Sequence, residues 1–517
     1  MGSQTVCVDT MVAKDRKYAG IAGVVAAAVA LGVGELIGLV VSARSAPLVA
    51  VGGVVIDNVP EWGKNFAIQV FGTHDKLALQ VGTVIVLALI AGGVGVGAWY
   101  RLWIGYAGIG VFGAVGVVAA LTRAGANVAW ALPSLVGAAA AAVALRQLLG
   151  YLNRTESARR VAPMGASERR TFLKAVGATL GGAALVGIVG RTLGERSSVN
   201  NARTAVTLPT PSGTRAASPA GSDVGGLNYV VSNADFYRID TALVVPRVDP
   251  ADWTLKIHGR VRTPITMTFA DLLKRPMIER YITLSCVSNE VGGDLIGNAK
   301  WLGVPLKDLL EEAGPEDGAD QVVSRSVDGF TAGTPTKVLL DGRDAIIAVA
   351  MNGEPLPIDH GFPARMVVPG LYGYVSATKW LAELELTTFA DFDAYWIPRG
   401  WAQMAPIKTE SRIDKPRAGS ISAGQTVIAG VAWAPHRGIS KVEVRLDNGD
   451  WQTATLASVA SVDTWRLWSL PWNATPGNHS ITVRATDNAG DTQTEATADP
   501  APDGATGWHR VGVTVNG

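Results

Sequence analysis

Cysteine is almost absent from this chain: two residues in 517, Cys7 and Cys286. Cys7 precedes the first long apolar run and Cys286 lies deep in the second half, so a disulfide framework is excluded. Histidine is scarce as well, with six in the whole sequence. None lies inside an apolar run long enough to cross a bilayer, and there is no Cys-x-x-Cys-His run, so haem in the apolar region is excluded. A surplus of one charge is missing too. Lys and Arg number 45 against 44 Asp and Glu, a net +1, which leaves no global basic surface for nucleic acid. There is no zinc-finger spacing, no Gly-x-x-x-x-Gly-Lys phosphate loop and no long internal repeat. Charged residues make up only 17% and hydrophobic ones 48%, which is apolar for a soluble protein.

That apolar excess sits in the first 190 residues. Ala19 to Val41, Leu77 to Ala98, Trp103 to Leu121 and Val128 to Leu149 each have the length and composition of a transmembrane helix. Lys14, Arg16 and Lys17 precede the first span and favour a cytoplasmic N-terminus. Trp99, Tyr100 and Trp103 flank Arg101 in the manner of interfacial aromatics. Pro47 to Val59 is apolar but short, and Asp57 and Pro60 break it, so it reads as an interfacial or re-entrant piece. Four spans return the chain to the cytoplasm, where Arg146, Arg154, Arg159, Arg160, Arg169 and Arg170 follow, as the positive-inside rule requires.

Ser167-Glu-Arg-Arg-Thr-Phe-Leu-Lys174 and the Gly/Ala-rich run to Gly190 resemble a twin-arginine export signal placed inside the chain. No small-x-small cleavage site follows, so a fifth, retained helix is expected. The Ser, Thr, Pro, Gly and Ala content of Ser197 to Gly226 reads as a flexible tether.

The second half is organised around Tyr281-Ile-Thr-Leu-Ser-Cys286-Val-Ser-Asn289. A β-rich run ends at Cys286 and a polar, Gly-containing loop, Ser288 to Gly293, follows. A strand end holds a ligand side chain rigidly while leaving a metal open. A lone thiol outside the cytoplasm is exposed to oxidation unless it is buried or tied up as a soft metal ligand. Downstream, residues 351 to 370 contain Asp-His360-Gly-Phe-Pro-Ala-Arg365, and Lys379-Trp-Leu follows. Together these segments resemble the sulfite oxidase family of molybdenum–pterin enzymes over residues 228 to 517.

The resemblance implies Cys286 as the protein ligand of molybdenum. It implies Phe236, Tyr237, Arg238, Asp328, His360, Arg365, Ala377, Thr378 and Lys379 as contacts of molybdopterin. Arg238 matches an arginine that also enters the substrate pocket, with Asp240 where the family usually carries histidine. Tyr395, in Asp-Ala-Tyr-Trp396, lies where the family has an active-site tyrosine. Taken alone, Asp328 before glycine is equally a turn residue, and Trp396 and Trp401 are equally core aromatics.

Ile407 to Pro416 reads as a linker strand, and after it about seven short alternating strands with Gly, Asn, Asp and Pro turns suggest an immunoglobulin-like sandwich. Trp465-Arg-Leu-Trp468 and Trp508-His-Arg510 resemble the family's dimerisation domain, which implies a possible homodimer.

The expected fold is multi-domain: an N-terminal α-helical membrane bundle, then an α+β sulfite-oxidase-type molybdopterin domain, then an all-β immunoglobulin-like sandwich. The expected segments are residues 1–150 for four helices and 151–192 for the Arg-rich loop and fifth helix. Residues 193–227 form the linker, 228–405 the catalytic domain and 406–517 the sandwich. The expected enzyme is a multi-pass membrane oxidoreductase with its soluble domains on the extracytoplasmic side. It would transfer an oxygen atom to or from a small substrate, without haem, and pass electrons to a cytochrome or quinone partner. Sulfite-oxidising relatives carry a basic pair after the cysteine; here Asn289-Glu-Val291 occupies that place. Their arginine before the closing Trp-His-Arg is replaced by Asp499-Pro-Ala-Pro-Asp503. A less positive pocket disfavours sulfite. Two rival readings are a hydrolase or transferase with Cys286 as nucleophile and His360 as base, and a non-enzymatic membrane-anchored binding protein with an immunoglobulin-like domain.

Overall fold

A computed structural model describes residues 2–58, 75–123, 126–159, 195–212, 217–242 and 244–517. The chain divides into two compact units, residues 1–197 with 242–244, and residues 198–241 with 245–517.

The first unit is helical: α1 Gly2–Val41, α2 Pro47–Asn58, α3 Asp75–Tyr100, α4 Leu102–Leu121 and α5 Leu132–Arg159. Among the described residues four stretches are long and apolar enough to cross a membrane: Arg16–Val41, Val81–Tyr100, Leu102–Leu121 and Val128–Leu152. At 12 residues, α2 is about 18 Å long, well short of a hydrocarbon core of about 30 Å. Helix α1 meets α3 where a Cβ on Gly23 or Gly95 would overlap the other helix's backbone; such small residues let membrane helices approach closely. Arg16 donates to the Tyr100 hydroxyl at 2.6 Å. The twin-arginine-like run and the expected fifth helix lie outside the described residues.

The second unit begins with α6, Glu195–Thr204, whose residues from Ser198 onward belong to it. Here the expectation of a flexible tether is corrected. Val199 is buried, and Val206 and Leu208 pack against the core. Arg203 donates to the carbonyls of Leu356 and Pro355 at 2.7 and 2.6 Å. Composition alone suggested a linker, but three spaced apolar residues and one arginine suffice to dock it.

Two five-stranded sheets build the domain that follows. One runs in the order 265–268, 254–259, 381–387, 321–326, 331–335. The other pairs Ile278–Ser285 with Ile296–Pro305, and that strand with Ile346–Met351. Ile346–Met351 also takes the short strand Arg365–Val367. Ile278–Ser285 is buried along most of its length, as a strand covered on both faces must be, and it stops one residue before Cys286.

The C-terminal part has a four-stranded and a five-stranded sheet. Their inward residues, Ile428, Trp468 and Trp472 from one and Val442, Val483 and Val513 from the other, share one core. Alternation of buried and exposed residues along His509–Asn516 gives that strand one core face. This sandwich is fused to the catalytic domain: Trp433, Trp465 and Leu467 join the catalytic core, and the Trp465 indole donates to Tyr229 O at 2.9 Å.

Candidate active site

Cys286 lies on the wall of a cavity of about 130 Å³. It is 9% exposed and has no disulfide partner. Burial pushes its thiol above the ordinary value, against opposing hydrogen bonds from Ser288 and the charge of Lys379. A thiol so placed is a poor free nucleophile. His360 cannot serve it as base: its Nε2 lies 3.2 Å from Asn233 O, and it does not line the cavity. The Cys–His hydrolase reading therefore loses its geometry.

Phe236, Tyr237, Asp328, Arg365, Ala377 and Lys379 line the cavity with Cys286. These residues come from five separated segments. Gly361 makes the central crossing possible. Its φ is +108°, and a Cβ there would stand 3.0–3.1 Å from the Cβ atoms of Lys379 and Arg365. Only glycine combines that backbone angle with so close an approach.

The Arg365 guanidinium donates to His360 O at 3.1 Å and Ala377 O at 3.2 Å. It lies 5.1 Å from the centre of the Trp301 ring. Its Nε, and Nδ1 of His360, are buried without a partner. Burial lowers Arg365 to about 10, Lys379 to about 8 and His360 to about 4. Neighbouring cations depress Lys379 and His360 further. Two buried cations, Arg365 and Lys379, beside a neutral imidazole and with donors left over, mark a site that awaits an anion.

The remaining expected residues stand differently. Arg238 does not line the cavity. Its Nε reaches Asp240 at 3.2 Å and its Nη1 reaches Asp359 at 3.3 Å, leaving the side chain 40% exposed. Asp240, in the place of the family's histidine, also binds Lys379 Nζ at 3.1 Å. One carboxylate thus turns Arg238 aside and offsets Lys379. Thr378 is buried behind the wall, its hydroxyl 2.7 Å from that of Ser324. Asp328 keeps its turn role, accepting from Phe330 N at 3.2 Å, while lining the cavity. Tyr395 does not line it; the Phe330 and Trp396 rings and the Arg399 guanidinium pack on its ring.

In its stead Trp396, Trp401 and Tyr374 face the cavity. Trp401 contacts both others, with ring centroids 6.1 and 5.8 Å away. Tyr374 was not foreseen. Its only sequence signal is the Leu-Tyr-Gly-Tyr run just after Gly370, whose aromatics read equally as core.

Among the described residues no group of three or more His, Cys, Asp or Glu side chains could hold a metal ion. A metal at Cys286 must therefore bring most of its ligands with it. A dithiolene pterin does so, and its phosphate suits the orphaned Nε of Arg365 on the cavity wall. The residues fit that cofactor.

Residues 242–396 match the family described as oxidoreductase molybdopterin binding domain. The chain is 28% identical over 342 residues to mitochondrial sulfite oxidase of Homo sapiens, covering 56% of this chain and 62% of that protein. It is 30% identical over 317 residues to inducible nitrate reductase [NADH] 2 of Glycine max, covering 48% and 35%. The sulfane dehydrogenase SoxCD of Paracoccus pantotrophus superposes with a TM-score of 0.49 at 23% identity, over 56% of this chain and 84% of that one. The chain thus spans about three fifths of the length of the human sulfite oxidase.

Proposed function

We propose that this enzyme transfers an oxygen atom on a small, neutral or weakly polar substrate, because residues 242–396 match the oxidoreductase molybdopterin binding domain and the chain is similar to sulfite oxidase. A sulfoxide or N-oxide undergoing reduction is the preferred class. The observation that carries this reading is the make-up of one cavity: a buried cysteine, a cationic cradle and an aromatic wall. Cys286 would supply the protein sulfur to molybdenum, and Arg365, His360 and Lys379 would hold the pterin and its phosphate. When bound, the cofactor supplies the two-electron oxygen-transfer chemistry.

The chain's own residues do the rest. Arg365 and Lys379 neutralise the anionic part of the cofactor in a site with little water. Tyr237, buried so that its phenol stays protonated, lines the cavity beside Cys286 as a neutral group. Tyr374, Trp396 and Trp401 present apolar faces to the substrate. The Asp, Glu, Lys and Arg residues of the lining are Asp240, Asp328, Arg365 and Lys379, two of each sign, so no surplus cation remains for a sulfite anion. Residues 289–291 and 499–503 add none, since none of them lines the cavity.

We further propose that the helical unit anchors the enzyme in the membrane, with the soluble domains exported by the twin-arginine-like segment. A cytochrome or quinone would exchange electrons with it, and the sandwich would support a homodimer. Metal analysis and dye-coupled turnover of sulfite and of a dialkyl sulfoxide test the core reading. It predicts molybdenum with sulfoxide turnover; efficient sulfite oxidation at micromolar substrate returns the chain to the sulfite-oxidising branch.

A further inference from the structure

The loop that leaves Cys286 is held at two places. At its neck the Cys286 amide donates to Leu295 O at 2.9 Å. The Leu295 amide donates to the Asn289 side-chain oxygen at 2.8 Å. These bonds close the loop, and within it the Gly293 amide donates to Glu290 O at 2.8 Å. The tip, Gly292-Gly293, is also held from the C-terminal sandwich. Gly292 has φ +79°, and a Cβ on it would overlap the imidazole of His509. Gly293 O accepts from Arg412 Nη1 at 2.7 Å, and Asp414 fixes that arginine at 2.7 Å. His509 is itself locked, because its Nδ1 accepts the Ile413 amide at 3.0 Å.

We propose that His509, with Arg412 beside it, is a positioning residue for the Cys286 loop, so that the C-terminal sandwich forms part of the support of the metal site. This rests on the reading of Cys286 as the metal ligand. A site of this kind works only when its ligand is held to within about 0.5 Å. A two-glycine tip pinned by a ring on one side and a guanidinium on the other adds to the turn bond within the loop and helps to meet that demand. The second domain then has a role in the chemistry of the first that is separate from any part in assembly.

The test uses the full chain in a Cys7→Ser background, so that Cys286 is the one thiol. In protein produced without molybdenum, the rate of Cys286 alkylation by iodoacetamide reports opening of the loop. In the holoenzyme, the sulfur-to-molybdenum charge-transfer absorption reports the ligand geometry. His509→Ala and Gly292→Ala should each raise alkylation about tenfold and displace the absorption band, with the melting transition retained. His509→Gln, whose carboxamide reaches where the Cδ2–Nε2 edge of the ring faces Gly292, should stay closer to the parent than His509→Ala. Folded His509→Ala with parental alkylation and absorption overturns the proposal. If that variant does not fold, Arg412→Met decides in the same way: faster alkylation supports the brace, and parental alkylation overturns it. Failure of the ligand reading is seen separately, as a Cys286→Ser enzyme with full metal and turnover, and leaves the alkylation result standing.

Discussion

Asp240→Asn should convert this enzyme toward anionic substrates. The carboxylate is bonded to Lys379 Nζ at 3.1 Å and Arg238 Nε at 3.2 Å, and its side chain is only 6% exposed. Removing it changes the formal charge of the cavity lining from zero to +1, counting Asp240, Asp328, Arg365 and Lys379. It also releases Arg238 from one of its two carboxylates. A unit charge about 7 Å from a bound anion, at an effective dielectric constant of about 20, is worth about 2 kcal/mol. That corresponds to a fall of about thirtyfold in KM for sulfite. The assay belongs near pH 6. Lys379 already titrates at about 8 with Asp240 present, and without that carboxylate it sheds its proton sooner. KM for a neutral sulfoxide should move by less than about threefold, since it carries no net charge. An unchanged KM for sulfite, or equal changes for both substrates, would refute the electrostatic account of the pocket.

Burial raises the Glu410 carboxyl to about 8, so the folded state binds a proton that the unfolded chain releases above about 4.5. Stability should therefore fall as pH rises from about 4.5 to 8, by at most about 5 kcal/mol. Glu410→Gln should flatten that slope in melting curves; an identical slope would show that Glu410 is not its source. Burial acts on His360 in the opposite sense. With a folded value of about 4 against 6.5 unfolded, cofactor-free protein should lose stability as pH falls from about 6.5 to 4. His360→Gln should remove that loss, and an unaltered acid limb in the variant argues against the assignment. Arg169→Lys with Arg170→Lys keeps every charge, so topology rules alone predict no change. The export reading predicts that the soluble domain stays in the cytoplasm, protected from protease added to spheroplasts; continued digestion from outside would remove that reading.

What could be read from the sequence was local and chemically distinctive. A β-rich run ending at a lone cysteine, and a histidine–glycine–proline–arginine run among only six histidines, pointed to the cavity that joins Cys286 and Arg365. What escaped was set by tertiary contact. The aromatic wall is assembled from Tyr374, Trp396 and Trp401, whose neighbours in sequence look like any core aromatics. Arg238 matched a motif, yet Asp240 two residues on turns it from the cavity, a pairing that no periodicity reveals. The docking of residues 198–212 rests on a few side chains diluted in linker-like composition. The brace on Gly292 joins positions more than two hundred residues apart, which local pattern does not report.

The central claim is that Cys286 holds a molybdenum–pterin cofactor that performs oxygen-atom transfer. Its most direct test is elemental analysis and turnover of the purified full chain beside Cys286→Ser. The account predicts about one molybdenum per parent chain. In the serine variant it predicts retained pterin, held by Arg365, His360 and Asp328, but lost turnover, because a hydroxyl is a poor substitute for a soft thiolate. A serine variant with parental turnover, or a parent that is active without molybdenum, would contradict it.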